Sequence, residues 1–379
     1  MKIGVITHYM PPHVGGIELM AESLGRAYAA AGHEVRWLAS RAPAATSWRE
    51  PGRIRVRCWN GLETRLGVPW PVWGPGAARE VARLCRWADL LHIHDCLYAG
   101  SLLAIAFARR RRRPVLLSQH IGFVRYTRAA LNALEAAAYR TLGRAALFGA
   151  DRVVFCTPAA EQFVTRLCGK RLATATTIPY GIDVATFRPP RDGERADARA
   201  RLKLPASGRV VLFVGRLVEK KGADLFLELC RRTPSVRFLM VGDGPLRPTA
   251  AACPPNLTWW PALSPSEMPG AYQAADVLLL PSQGEGFPFV VLEALAAELP
   301  VITSRGEAFT AVLEAEAACL AADRTPAALG QALSRLWETP GLAPALAWRG
   351  RSLALREWSR DAMEARYLTL IRALAGGAA

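Results

Sequence analysis

Short, continuous apolar runs recur along this chain, each followed by a turn and then a helical pattern. Val277 to Leu280 (VLLL) shows the type. It is too continuous for a strand with one wet face and suits a strand buried on both faces of a parallel sheet. Pro281, Ser282, Gln283 and Gly284 break the run. From Pro288 the pattern turns helical, with Phe289, Leu292, Leu295 and Ala296 at helical spacing, and Pro288 suits the first helical position, where a missing N–H costs nothing. After Pro300 a second apolar strand runs from Val301 to Thr303. Strand, loop, helix and strand make a crossover unit.

The same unit repeats in both halves. In the first, strands are expected at Lys2 to Thr7, Glu34 to Ser40, Ile54 to Trp59, Leu90 to His94, Val115 to Ser118, Arg152 to Thr157 and Thr177 to Tyr180. Helical patterns alternate with them: Ile17 to Ala30, Leu97 to Ala108, the alanine-rich Ala129 to Leu147, and Pro158 to Leu167. In the second, Val210 to Val214, Arg237 to Val241 and Leu257 to Trp260 are strands, with helices over Ala223 to Arg232 and Met268 to Ala274. The charged, proline-containing stretch from Asp183 to Gly208 separates the halves. This alternation predicts an α/β protein of two Rossmann-like, doubly wound domains facing a cleft: 1–183, 184–355, and a terminal helix 356–379.

Composition narrows the function. Half the residues are hydrophobic and 21% are charged, so a large core is available across 379 residues. No run approaches the ~18 apolar residues of a membrane-spanning helix. Residues 1–10 begin on a strand pattern, so no signal peptide is expected. The 8 cysteines are scattered without a CxxC pair, which gives no sign of a metal cage or disulfide framework and fits a reducing cytoplasm. The net charge of +16 calls for an anionic partner: nucleic acid, a membrane surface or a phosphate-bearing substrate. The densest cluster is Arg109 to Arg113, which also reads as a solvated helix end.

Chemistry-bearing residues fall at strand ends, where open α/β sheets bind ligands. Glu285 lies in the loop after Val277 to Leu280, and Glu293 in the helix beyond it. Between them the helix start offers backbone N–H groups at Phe287, Phe289 and Val290, and such ends attract anions by about 0.3–1 kcal/mol each. Acids beside an anion-binding helix end suit a ligand with both phosphates and hydroxyls, such as a nucleotide-sugar. Arg216 and Lys221 follow the Val210 to Val214 strand, a fork and a point charge suited to a diphosphate. Gly15 and Gly16 close the first strand's loop, where a Cβ would obstruct approach to phosphates. The pattern is not GxGxxG and gives a dehydrogenase little support. His94, Asp95 and His120 end strands of the first half; His92, His94 and Asp95 suit structural roles, and no compact metal-ligand set is present.

The spacing Glu285-Gly286-Phe287, Glu293-Ala294-Leu295, Pro300-Val301-Ile302 resembles the donor-site signature of the family-four retaining glycosyltransferases, which have the GT-B fold. Gly215-Arg216-Leu217 with Lys221-Gly222, and Ile178-Pro-Tyr-Gly-Ile-Asp183, extend the likeness over nearly the whole chain. The resemblance implies a metal-independent, retaining transfer of a hexose-like sugar from a nucleotide-diphosphate donor to an acceptor hydroxyl. It implies catalytic roles for Glu285, His120, Arg216 and Lys221. It implies donor contacts at Gly15, Gly16, Gly286, Phe287, Pro288, Phe289 and Glu293, and a terminal helix crossing back to the first domain. Pro261, Glu298 and the segment Arg305 to Leu320 depart from the family's glycine-rich pattern, which bears on donor specificity rather than fold. The expected partners are a nucleotide-sugar co-substrate and a glycan or lipid-linked acceptor of the cell envelope. No resident cofactor and no nucleic acid are expected, and the protein is placed in the cytoplasm, peripheral on an anionic membrane face. A nucleotide-sugar epimerase of the same architecture and a non-catalytic binder of anionic surfaces are the alternatives.

Overall fold

The computed structural model describes residues 1–10, 16–40, 52–59, 61, 72–120, 122, 129–169, 171–249 and 252–376. Two compact units form: Met1–Tyr180 with Met363–Ala379, and Gly181–Ala362.

The first unit holds a seven-stranded sheet. Its strands are β1 (Lys2–Ile6), β2 (Glu34–Ser40), β3 (Arg53–Val56), β6 (Leu90–His94), β7 (Val115–Gln119), β8 (Arg152–Phe155) and β9 (Ala175–Thr177), in the order β3-β2-β1-β6-β7-β8-β9. Every pairing is parallel. β4 (Cys58–Trp59) and β5 (Val72–Trp73) make a separate antiparallel ribbon. The second unit holds a six-stranded parallel sheet of β10 (Val210–Val214), β11 (Arg237–Val241), β12 (Leu257–Trp260), β13 (Val277–Leu280), β14 (Val301–Ser304) and β15 (Leu320–Ala322). Its order is β12-β11-β10-β13-β14-β15. Each sheet reverses its winding once, between β1 and β6 and between β10 and β13, and these switch points are where doubly wound sheets open a ligand site.

The continuous apolar runs are buried as expected: β6, β10 and β13 have no exposed residue. Phe226 on the Ala223–Arg232 helix lies 5.2 Å from Phe213 and edge-on to Phe238 at 5.3 Å, joining helix to sheet. In the first unit Tyr367, on the helix Arg360–Gly376, is fully buried and its hydroxyl meets Ser118 Oγ at 2.8 Å. Trp73 packs its ring on Gly100, where a Cβ would come within 2.2 Å of it, and donates to Ser40 Oγ at 2.7 Å.

Several boundaries differ from the sequence pattern. β9 pairs through Ala175 to Thr177, not Thr177 to Tyr180. It is a half-buried edge strand with no apolar run to mark it. Pro288 is the N-cap, in extended backbone, one position before the first helical residue. The Ala129 to Leu147 helix is interrupted by a π turn at Tyr139–Gly143, where Thr141 Oγ1 donates to the Ala137 carbonyl at 2.8 Å. β15 and the helix Leu342–Glu357 complete the second unit and stand out from no sequence pattern. Glu298 keeps a backbone that glycine would adopt more easily: its φ is 57°, the left-handed region where a side chain costs about 1–2 kcal/mol.

The N-terminal edge of the second sheet is pinned by a buried charge. Arg199 is 4% exposed and donates to Asp276 Oδ2 at 2.9 Å and to the Ala274 and Ala206 carbonyls at 3.0 and 3.1 Å. Asp276 also accepts from the Val210 N–H at 2.8 Å and from Arg195. Removing the carboxylate strands a buried guanidinium, so Asp276→Ala should destabilise the second unit by about 3–5 kcal/mol in chemical denaturation. A loss below ~1 kcal/mol would show that the pair is dispensable.

Candidate functional site

The β10–β13 switch point gathers its side chains from several loops. The loop after β10 carries Arg216 and Lys221, and the loop after β13 carries Glu285. Lys221 Nζ lies 3.0 Å from Glu285 Oε2, with the side chains 24% and 14% exposed, so this pair bridges the point where the winding reverses. Arg216 is exposed and its guanidinium has no partner among the described residues. Gly222 keeps the two loops together: its φ is +74°, and a Cβ would sit 2.4 Å from the Pro281 carbonyl oxygen. Gln283 N–H also donates to the Lys220 carbonyl at 2.8 Å.

Two residues that sequence reasoning missed hold the Glu285 loop. The Glu307 carboxylate accepts from the Gly284 and Glu285 N–H groups, each at 2.9 Å. Arg324 donates to the Pro281 carbonyl (2.9 Å), Gln283 Oε1 (2.8 Å) and the Glu219 carbonyl (2.9 Å), tying the β10 and β13 loops together. Contacts of this kind, to backbone groups from distant loops, leave no spacing in the sequence. The one available signal was that Glu307 falls in the segment that departs from the glycine-rich family pattern.

Glu293 stands apart from the ion pair. It accepts a short hydrogen bond from Tyr272, a buried residue of the Met268–Ala274 helix. Burial pushes its carboxyl up to about 7, against the pull of the Tyr272 hydroxyl. Around the helix start, Val291 and Leu292 N–H groups go to the Pro288 carbonyl at 3.0 and 3.3 Å, and the N-cap residue Pro288 makes no side-chain capping bond. The Phe287 ring is 7% exposed and packs on Phe309 and Trp358 at 5.7 and 4.7 Å. Its ring is therefore core, leaving only its backbone to face a ligand. Pro288 is buried, and Gly286 and Phe289 are half-buried.

The first unit carries a second polar cluster at the same edge of its sheet. His94 ends β6 and Asp95 follows it, His120 follows β7, and His8 follows β1. His94 Nδ1 meets His120 Nε2 at 2.8 Å, and His120 Nδ1 meets the Tyr180 hydroxyl at 3.1 Å. Both ring nitrogens of His120 are thus engaged, while His94 Nε2 is buried with no partner among the described residues. Asp95, with φ 61°, accepts from the His120 N–H at 2.8 Å, so a strained residue joins the two loops. His92 bonds Ser118 Oγ at 2.8 Å and the Tyr28 hydroxyl at 3.1 Å. Burial and the neighbouring imidazoles hold His92 and His120 well below the ordinary histidine value, and burial takes His94 to about 3. The His92, His94 and His120 rings are therefore neutral at pH 7 and act as hydrogen-bonding groups. Gly16 opens the Gly16–Ala30 helix, and Gly15 lies outside the described residues. Among the described residues no group of His, Cys, Asp and Glu could hold a metal ion.

Known proteins share this architecture. Residues 14–186 match the model for Glycosyltransferase Family 4, and residues 208–339 the model for Glycosyl transferases group 1. The chain is 35% identical to a D-inositol 3-phosphate glycosyltransferase of Segniliparus rotundus, over 41% of this chain and 37% of that protein. It is 32% identical to the enzyme of the same name from Acidothermus cellulolyticus, over 69% and 62%. The chain therefore spans less than two thirds of the length of either relative. A GDP-mannose-dependent alpha-(1-6)-phosphatidylinositol dimannoside mannosyltransferase of Mycobacterium tuberculosis is 28% identical, over 90% of this chain and 88% of that one. Sucrose-phosphate synthase from Thermosynechococcus elongatus superposes with a TM-score of 0.74 at 24% identity, covering 99% of each chain, and has the same two-sheet GT-B fold. The two halves of the chain match these two family models in turn, and the chain therefore carries the two domains of the family-four, group 1 glycosyltransferases.

Proposed function

We propose that this chain moves a sugar from a nucleoside-diphosphate donor to an acceptor hydroxyl with retention of configuration, taking the donor as a co-substrate and needing no resident cofactor or metal. The observation that carries this reading is the Lys221–Glu285 pair at the β10–β13 switch point, with Arg216, whose guanidinium has no partner among the described residues, on the same loop as Lys221. The cations receive the diphosphate, Glu285 orients the sugar hydroxyls, and Glu293 accepts from the ribose. As the bond from the anomeric carbon to the phosphate oxygen breaks, the bond to the acceptor oxygen forms on the same face. The acceptor proton passes to the leaving diphosphate, whose growing charge Arg216 and Lys221 stabilise. The first unit serves the acceptor. Relatives named for inositol 3-phosphate and for a phosphatidylinositol dimannoside favour an acceptor bearing phosphate, free or lipid-linked, and the net charge of +16 suits it. Incubation with a panel of nucleotide-sugars and such acceptors tests the reading: nucleoside diphosphate should be released only when acceptor is present. Donor consumed without acceptor, with no transfer product, would indicate an epimerase instead.

Lys221→Ala should lower turnover by ~10²–10³, as loss of a group that meets transition-state charge does elsewhere. Near-normal turnover would remove Lys221 from the mechanism. Glu307→Ala frees two N–H groups of the Glu285 loop; kcat/KM should fall by about tenfold or more while the thermal midpoint moves only a few degrees. An unchanged kcat/KM would mean that the loop holds itself. Glu293 gives a pH signature. Its folded value of about 7 exceeds the ordinary 4.5, so the fold favours its protonated form. Stability relative to Glu293→Gln should therefore drop as pH rises through that window. Ribose hydroxyls favour the carboxylate, so donor affinity should rise through about pH 7 in the wild type and stay flat in Glu293→Gln, which calorimetric titration would reveal.

A further inference from the structure

The helical stretch 129–149 has a face that the core of the first unit does not use. Inward it buries Glu135, Tyr139, Gly143, Ala146 and Leu147. Outward, Leu134 is 61% exposed, Leu142 52% and Phe148 47%. Thr141 and Ala145 are exposed with them, as are Arg140 and Arg144, and the π turn Tyr139–Gly143 lies between Leu134 and Phe148. The Arg144 guanidinium lies 5.4 Å from the Phe148 ring centroid. The acid of this stretch, Glu135, is 5% exposed, so the outward face carries cations and apolar groups but no negative charge.

The end of the stretch adjoins a second basic element. At Gly149 a Cβ would be 3.5 Å from Arg109 Nη1, which brings the exposed run Arg109 to Arg112 alongside. Among the described residues these four arginines pair with no acid; only their neighbour Arg113 does, with Asp89 at 3.9 Å. An ordinary solvated helix face mixes both signs of charge. Bulky apolar residues flanked by unpaired arginines are instead the composition of a helix lying in a membrane interface. No described helix is long and apolar enough to cross a membrane, so contact of this kind would be from one side.

We propose that this face docks the chain on an anionic lipid bilayer. Leu134, Leu142 and Phe148 enter the boundary between headgroups and acyl chains, and the surrounding arginines meet the lipid phosphates. Each basic residue near such a surface adds about fivefold to binding. The inference stands on the surface alone and does not depend on the reaction assigned above.

Flotation with vesicles tests it. The wild-type chain should float with phosphatidylcholine vesicles that contain phosphatidylglycerol, sink with phosphatidylcholine alone, and be released by salt. The triple variant Leu134→Ser, Leu142→Ser, Phe148→Ser and the double variant Arg140→Glu, Arg144→Glu should each bind at least about tenfold more weakly. Arg231→Glu with Arg232→Glu, an exposed pair on the second unit, should bind as wild type does. The single variant Leu134→Ser, weakened to a smaller degree, serves should the triple variant fold poorly. No flotation of the wild type at low salt, or equal flotation of the helix-face variants, would overturn the proposal. So would a wild-type dimer in light scattering that the triple variant abolishes, since a second copy would then be the occupant.

Discussion

The ion pair between Lys221 and Glu285 is the constraint on which the donor side depends. Its N···O distance is 3.0 Å and both side chains are largely shielded. A pair of this kind adds little net stability, because desolvation offsets most of its attraction. Its consequence is positional. β10 and β13 are adjacent and parallel, with Val211 and Leu212 in register with Val277 and Leu278, so their loops leave the sheet side by side. The pair sets a cation and a carboxylate side by side at one point on that edge, where the proposed function assigns the cation to phosphate and the carboxylate to sugar hydroxyls.

The rest of the second unit reads as support for that point. Arg199 and Asp276 fix the opposite edge of the same two strands. Gly222, Glu307 and Arg324 fix the loops at the near edge through backbone groups rather than through the ion pair itself. The loop geometry therefore does not rely on the charges that a ligand would compete for. In the proposed function a donor would draw Lys221 away from Glu285 toward its diphosphate, and these anchors would keep the loops in place.

Much of this was legible in the sequence, for identifiable reasons. Buried parallel strands must be continuously apolar, so β6, β10 and β13 announced themselves, and with them the residues at their ends. Glu285, Lys221 and Arg216 were singled out because strand ends are where such sheets bind ligands, and they lie in the loops after the adjacent strands β10 and β13. The half-buried β9 carried no such signal, and its expected boundary was displaced. Glu307 and Arg324 were missed because they act on carbonyl and N–H groups, which every residue has. Phe287 was assigned to the donor from its neighbours, yet its ring belongs with Phe309 and Trp358. His120 shows the same limit: its position at a strand end was readable, but not that His94 and Tyr180 would occupy both of its nitrogens.

The first unit's cluster and the second unit's ion pair follow one logic, polar groups collected where a doubly wound sheet reverses. The most direct measurement is a double-mutant cycle in donor affinity. Wild type, Lys221→Ala, Glu285→Gln and the double variant would be titrated calorimetrically with nucleoside-diphosphate sugars. The account predicts that at least one donor binds the wild type, that each single change weakens it, and that the losses are not additive, because both residues shape one site. Strictly additive losses, or a donor that binds all four proteins alike, would contradict it.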